Sequence, residues 1–306
     1  MMNLGFIMAC GYMLSRKKKE KIIEGVLAFC GYATILTTVG IIWVLVSESF
    51  SFFREVSLID FFTDTEWTPL FAQKHYGILP LLSGTFLTTL IAVLTAVPIG
   101  VVIAIYISEY APKSFRRNVK PALEILAAVP TVVYGFFALT VVTPFLQNII
   151  PGLGTFNALS AGIVMGIMIM PLVSSLSEDA LFALPKSLRE ASYGMGATRF
   201  QTAFRVAVPA ASSGIIVSII LAIARALGET MIVAIAAGQQ PILTLDPRNQ
   251  VETITAYIVQ VSLGDVQHGS VEYRTIFAAG ITLFFFTFIL NTIGFWIKKK
   301  YQEKYE

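Results

Sequence analysis

The chain has 306 residues, 56% of them hydrophobic and 13% charged, with a formal net charge of +3 and a mean hydropathy of +0.74. A soluble domain of this length has too little interior to hide so much apolar surface, so the composition excludes a water-soluble protein and points to one embedded in lipid. Two cysteines, Cys10 and Cys30, and two histidines, His75 and His268, are too few and too scattered for a metal centre or a disulfide framework.

A helix needs ~20 predominantly apolar residues to cross a hydrocarbon layer ~30 Å thick, and six runs meet that requirement. They are residues 25–46, 77–107, 125–150, 152–176, 206–238 and 275–297. Five contain no Asp, Glu, Lys or Arg, and the fifth in order carries only Arg225 and Glu229. Continuous runs of this kind exclude a β-barrel, whose strands alternate over ~10 residues. The expected fold is therefore all-α, a polytopic membrane protein of six transmembrane helices. Its organisation reads as a tail (1–24), a first span (25–46), a loop (47–76), a core of five spans (77–297) and a second tail (298–306). The apolar stretch 1–14 precedes its basic cluster, the reverse of a signal peptide, and reads as an uncleaved tail or as an over-long translation start.

Lys and Arg counts set the orientation. The N-terminal tail, the loop after span two, the loop after span four and the C-terminal tail together hold 17, whereas the opposite loops hold Arg54, Lys74, Arg248 and Arg274. By the positive-inside rule both termini are cytoplasmic, and the small net charge reports orientation and gives no support to a nucleic-acid partner. The outer loop 47–76 contains Phe50, Phe52, Phe53, Phe61, Phe62 and Trp67, which serve either interfacial anchoring or docking of an outside partner. His75 and His268 read as solvated, and Glu109 and Glu124 as surface partners of Arg116, Arg117 or Lys120. Prolines at 98, 130, 144, 171 and 209 predict kinked or broken spans, a feature of transporters and channels more than of simple anchors.

The loop 178–205 reads as a helical hairpin. Pro185 precedes a helix start at Lys186-Ser187-Leu188-Arg189-Glu190-Ala191, Gly194 and Gly196 permit a sharp turn, and Met195, Phe200 and Phe204 supply apolar knobs. Such an element is either a docking helix or an amphipathic loop on the membrane. Glu190-Ala191-Ser192, Gly196 and Val206-Ala207-Val208-Pro209 have the spacing of the Glu-Ala-Ala, Gly, Ile-x-Leu-Pro signature, and this stretch resembles the importer permeases of ABC transporters. Ser192 replaces the second Ala, and valines replace Ile and Leu. The resemblance implies the ABC type I importer permease fold and a coupling helix that inserts into a separate ATPase subunit, with Arg189 and Glu190 pairing with that partner's charges. The chain itself has no G-x-x-x-x-G-K-[ST] phosphate loop, so it is expected to bind no cofactor and to be no enzyme, with ATP hydrolysed by the partner.

Arg225 and Glu229, four residues apart, are expected on one helix face about 6 Å apart along the axis. Charges inside a span face the bundle interior or a water-filled path, so the two form either a self-neutralising pair that fixes packing or an oxyanion site. The planar guanidinium of Arg225 suits a tetrahedral oxyanion, and Glu229 accepts a hydrogen bond from an anion that still carries a proton, which favours phosphate over sulfate. One helix is expected to connect Pro209 to this pair.

The segment Arg225-Ala226-Leu227-Gly228-Glu229-Thr230-Met231 is similar to the phosphate-specific members of the family. So are Pro98-Ile99-Gly100, the run from Ala104 to Pro112, and Pro130-Thr131-Val132-Val133-Tyr134-Gly135. They look most like the C-type permease subunit. That resemblance implies a second, A-type permease, two copies of the ATPase, an external phosphate-binding protein and a place in the cytoplasmic (inner) membrane of a prokaryote. The readings left beside it are the same architecture for sulfate, molybdate or tungstate, and a partner-independent secondary transporter.

Overall fold

The structure, a computed structural model, describes residues 4–301, and side-chain environments from Glu20 to Lys300 apart from position 113. The expectations for Met1 and for Lys304 in the C-terminal tail lie outside the described residues. The chain is helical, in the order α1 (Leu4–Phe53), α2 (Leu58–Thr63), α3 (Leu79–Ile105), α4 (Lys113–Ala127), α5 (Thr131–Phe137), α6 (Thr143–Gln147), α7 (Ala158–Phe182), α8 (Lys186–Gly194), α9 (Arg199–Thr202), α10 (Val208–Ala210), α11 (Ser212–Leu227), α12 (Met231–Ala236), α13 (Ile254–Leu263) and α14 (Val271–Tyr301). Three π-turns, Tyr106–Tyr110, Ala138–Val142 and Ala203–Ala207, interrupt the regular winding. Among the described residues four helices are long and apolar enough to span a membrane, Glu20–Phe53, Leu79–Tyr110, Ala158–Phe182 and Val271–Lys300, and two bent pairs bring the total to six.

The bends correct two of the six predicted spans. The run 125–150 is not one segment: Ser114–Ala127 and Thr131–Gln147 meet at 84°. Pro130 has no amide to donate and disfavours helical backbone at Val129, so α4 stops at Ala127 and Pro130 heads α5. The amphipathic α4 therefore takes Ile125, Leu126 and Ala127 out of the span. The run 206–238 breaks twice. Arg199–Ala210 and Ser212–Leu227 meet at 69°, where Pro209 follows the wide turn Ala203–Ala207, and α11 ends again at Gly228 before α12 begins. Pro98 and Pro171 lie within unbroken α3 and α7.

The centre of the bundle is the α3–α7 pair. A side-chain carbon at Gly162 or Gly166 would fall 2.7 Å from the Cβ of Ile91 or Thr95, so the two glycines let the backbones approach closely. Around this seam Ala92, Ala96, Met165, Met168, Ile169 and Val173 are fully buried. α11 packs on α14, α7 and α3, while α1 lies chiefly along α14 and its residues from Glu20 to Val46 are mostly exposed, as suits a lipid-facing helix. A second core of Phe52, Phe61, Trp67, Tyr257 and Ala278 closes one end of the bundle. Three of the six aromatics from loop 47–76 are thus interior residues, packed edge to face, a role outside both the anchoring and the docking alternatives.

Polar pairs tie this end together. Lys74 pairs with Glu272, Arg274 reaches Glu55 at 2.9 Å, and His75 Nδ1 lies 2.9 Å from Asp64, so His75 is not merely solvated. His268 stacks edge-on against Tyr273.

Candidate functional site

At the other end of α3, the hairpin predicted for 178–205 is present. Pro185 caps α8 with extended backbone, and the turn after it closes through Gly196, whose φ of +83° lies in the left-handed region that favours glycine. Thr198 and Gln201 form a reciprocal capping box that starts α9, and the Ser192 and Thr202 hydroxyls, 2.9 Å apart, join the two helices. Between them lies a groove of ≈ 480 Å³ lined by Leu188, Ala191, Met195, Gln201 and Val206 among others. Met195 is 90% exposed, and Phe200 and Phe204 are open on a second groove that they share with Val102, Ile105, Tyr106 and Tyr110 at the end of α3. Glu190, Ala191 and Pro209 are exposed as well.

Nothing lies within 4 Å of a Cβ built on Gly196, so a substitution there tests the backbone alone. Gly196→Val is expected to destabilise the turn by about 1–3 kcal/mol. Limited proteolysis should then cut faster within 186–207, with the thermal transition of the span bundle unchanged.

Arg189 makes most of its hydrogen bonds inside its own chain. Its Nε lies 3.2 and 3.1 Å from Glu109 Oε1 and Oε2, one terminal nitrogen is 2.7 Å from Oε1, and the guanidinium also donates to the carbonyls of Leu184 (3.1 Å) and Leu181 (2.7 Å). Four of its five N–H groups are thus engaged inside the chain, which leaves one on the second terminal nitrogen. This fork fastens α8 to the π-turned end of α3, because the Glu109 side chain is only 4% exposed. A parallel lock joins α4 to the end of α7: Arg116 sits 2.7 Å from Glu178 and 3.6 Å over the Phe182 ring, and Lys120 bridges Glu178 and Asp179. Glu109 is therefore no surface partner of the α4 cations.

The fifth span changes the geometry of the other predicted pair. Arg225 occupies the last turn of α11, and Glu229 lies beyond its end, past Gly228. The Glu229 carboxylate accepts the backbone amides of Met231 (3.1 Å) and Ile232 (3.3 Å), capping α12, and its carbonyl accepts the Thr255 hydroxyl at 2.7 Å. Glu229 is 9% exposed, whereas Arg225 is exposed and makes no ion pair among the described residues. The two do not share one helical face, and no single helix links them to Pro209. Leu221 and Arg225, one turn apart, form an uncovered stripe on α11.

Sequence reasoning missed Glu109, Glu178 and Glu252 as buried carboxylates. Glu109 and Glu178 stand at the ends of apolar runs, where a surface reading is the default, and only their distant partners reveal otherwise.

Comparison with known proteins places this geometry. The family described as binding-protein-dependent transport system inner membrane component matches residues 96–304. The chain is 40% identical over 235 residues to the probable ABC transporter permease protein YqgH of Bacillus subtilis (strain 168), covering 76% of this chain and 75% of that one. It is 34% identical over 256 residues to the phosphate transport system permease protein PstC of Xylella fastidiosa (strain 9a5c), covering 77% of each. Among solved structures, a bacterial ABC transporter importing the acidic polysaccharide alginate matches at a TM-score of 0.57 and 19% identity, over 90% of this chain and 95% of that one. The inward-facing MetNI methionine ABC transporter matches at 0.54 and 18%, over 74% and 94%. The chain therefore belongs to the family of binding-protein-dependent transport system inner membrane components and has the ABC type I importer permease fold.

Proposed function

We propose that the chain is the C-type permease subunit of an ATP-driven phosphate importer in the cytoplasmic membrane of a prokaryote, with both termini cytoplasmic. The observation that carries this reading is Arg225: an exposed guanidinium at a helix break inside a span, held by no carboxylate among the described residues. Its planar fork offers two hydrogen bonds to a tetrahedral oxyanion. The Glu229 carboxylate, engaged through Oε1 by the amides of Met231 and Ile232, leaves Oε2 for a hydrogen bond from an anion that carries a proton, which favours phosphate over sulfate. Resemblance to relatives named as phosphate permeases supports the same choice.

Under this reading the A-type permease covers the Leu221–Arg225 stripe and completes the path. Two copies of the ATPase hydrolyse the ATP, one receiving Met195, Phe200 and Phe204, with Glu190, Ala191, Ser192, Gly196 and Pro209 shaping the loop that presents them. Arg189 positions that loop rather than contacting the ATPase. An external phosphate-binding protein delivers the anion.

The test is reconstitution in proteoliposomes with the ATPase, the second permease and the external binding protein. The expected result is ATP-dependent uptake of radiolabelled phosphate that excess sulfate or molybdate does not compete. Uptake without the ATPase points instead to a secondary transporter, and uptake of sulfate in place of phosphate to a different oxyanion importer.

A further inference from the structure

At the end of α3 away from the α8–α9 hairpin lies a cavity of ≈ 880 Å³, formed by residues 65–71 of the loop before α3 and residues 239–243 of the loop after α12. Its walls include Trp67, Phe71, Ile242 and Gln239, and its inner part includes Tyr257 and Glu252. Glu252 is 2% exposed, and its Oε1 has no hydrogen-bond partner among the described residues. No Lys or Arg lines the cavity, and a second carboxylate, Glu66, joins the lining.

A buried carboxyl without a counter-charge is unfavourable. Burial accordingly pushes Glu252 up to about 8. An anion is the wrong occupant for a space with two acids and no cation. The apolar walls fit a methylene stem, and the unpartnered acid at its base fits a cationic head. The volume admits more than one side chain, the dimension of a protruding loop.

We propose that this cavity receives a lysine or arginine side chain presented by the external binding protein, with Glu252 as its counter-charge. The proposal rests on the reading of the chain as a binding-protein-dependent permease. Its position gives the contact a route inward. Thr253 caps α13, its neighbour Ile254 donates its amide to Thr85 of α3 at 3.1 Å, and Thr255 donates its hydroxyl to the Glu229 carbonyl. Three residues join the cavity floor to the end of the span that carries Arg225.

The experiment uses the reconstituted four-component transporter and titrates the phosphate-loaded binding protein. Glu252→Gln should raise the half-saturating binding-protein concentration about tenfold, the effect of losing one desolvated charge-assisted contact, and Glu252→Lys should raise it further. Maximal uptake at saturation should be retained by Glu252→Gln. Among single Lys→Glu and Arg→Glu variants of the binding protein, one should lose docking to the unaltered chain and regain it with Glu252→Lys. Unchanged half-saturation in Glu252→Gln overturns the proposal. So does a fall in maximal uptake alone, which marks a substrate subsite, or loss of the second permease on purification, which marks an internal interface. Direct binding of the external protein to the complex in nanodiscs separates the two readings. Docking that depends on Glu252 stands even where the transported anion proves not to be phosphate.

Discussion

Replacing Arg225 with Gln is expected to lower phosphate uptake by about 100-fold while insertion in the membrane and co-purification with the ATPase are retained. The magnitude follows from losing two charge-assisted hydrogen bonds to the anion, worth about 3 kcal/mol together. Retention of assembly follows from geometry. Arg225 is exposed and partners no carboxylate among the described residues, so its removal strands no buried charge there. Arg225→Lys keeps the charge but loses the fork, and should fall between the two. Glu229→Gln is a different experiment, because that carboxylate caps α12 through Met231 and Ile232 and its loss loosens the break itself. Uptake is measured per transporter inserted, beside ATP hydrolysis stimulated by the binding protein. Unimpaired uptake by Arg225→Gln removes the anion role from this residue.

The features legible in the sequence are those that local chemistry dictates. Apolar runs longer than the hydrocarbon layer fixed the all-α membrane class, and the spacing from Glu190 to Pro209 gave a family resemblance that the comparisons bear out. The hairpin was legible because Pro185 and Gly196 each impose a backbone conformation. The breaks were legible only in part: five prolines predicted kinked or broken spans, but not that Pro130 and Pro209 would mark the sharp bends while Pro98 and Pro171 stay within unbroken helices. Around Ala127 and again around Ala211 the hydrophobicity continues without pause, so length alone suggests one straight helix, and the decision falls to Pro130 and to a π-turn ahead of Pro209.

The expected Arg225–Glu229 face failed for the same reason: a four-residue spacing means one face only while the helix lasts, and α11 ends at Leu227. Least legible of all were the long-range pairs. Glu109 and Arg189 are 80 positions apart, and Lys120 and Glu178 are 58 apart, so nothing local distinguishes them from solvated charges.

Arg189 supplies the second large effect, because its fork joins α8 to the ends of both α3 and α7. Its fork holds Glu109 at the π-turned end of α3 and simultaneously ties the carbonyls of Leu181 and Leu184 at the end of α7. These two helices form the central seam, so a push on α8 reaches both at once. Arg189→Met removes the fork and leaves a carboxylate that is 4% exposed without its partner, a loss of about 3–5 kcal/mol when one member of a buried pair is deleted. The expected result is a transporter that still hydrolyses ATP but moves several-fold less phosphate per ATP, because α8 follows the ATPase without dragging α3. Glu109→Gln keeps a hydrogen-bond acceptor and should cost less. The double variant Glu109→Gln with Arg189→Met should be milder than the sum of the two, since the stranded charge is then absent. Thermal unfolding of the purified complex measures that coupling, and the phosphate-to-ATP ratio measures its mechanical consequence. Additive effects on stability together with an unchanged ratio would show that the fork is only a fastening, and that motion enters the bundle through the Ser192–Thr202 contact and the α9–α11 arm instead.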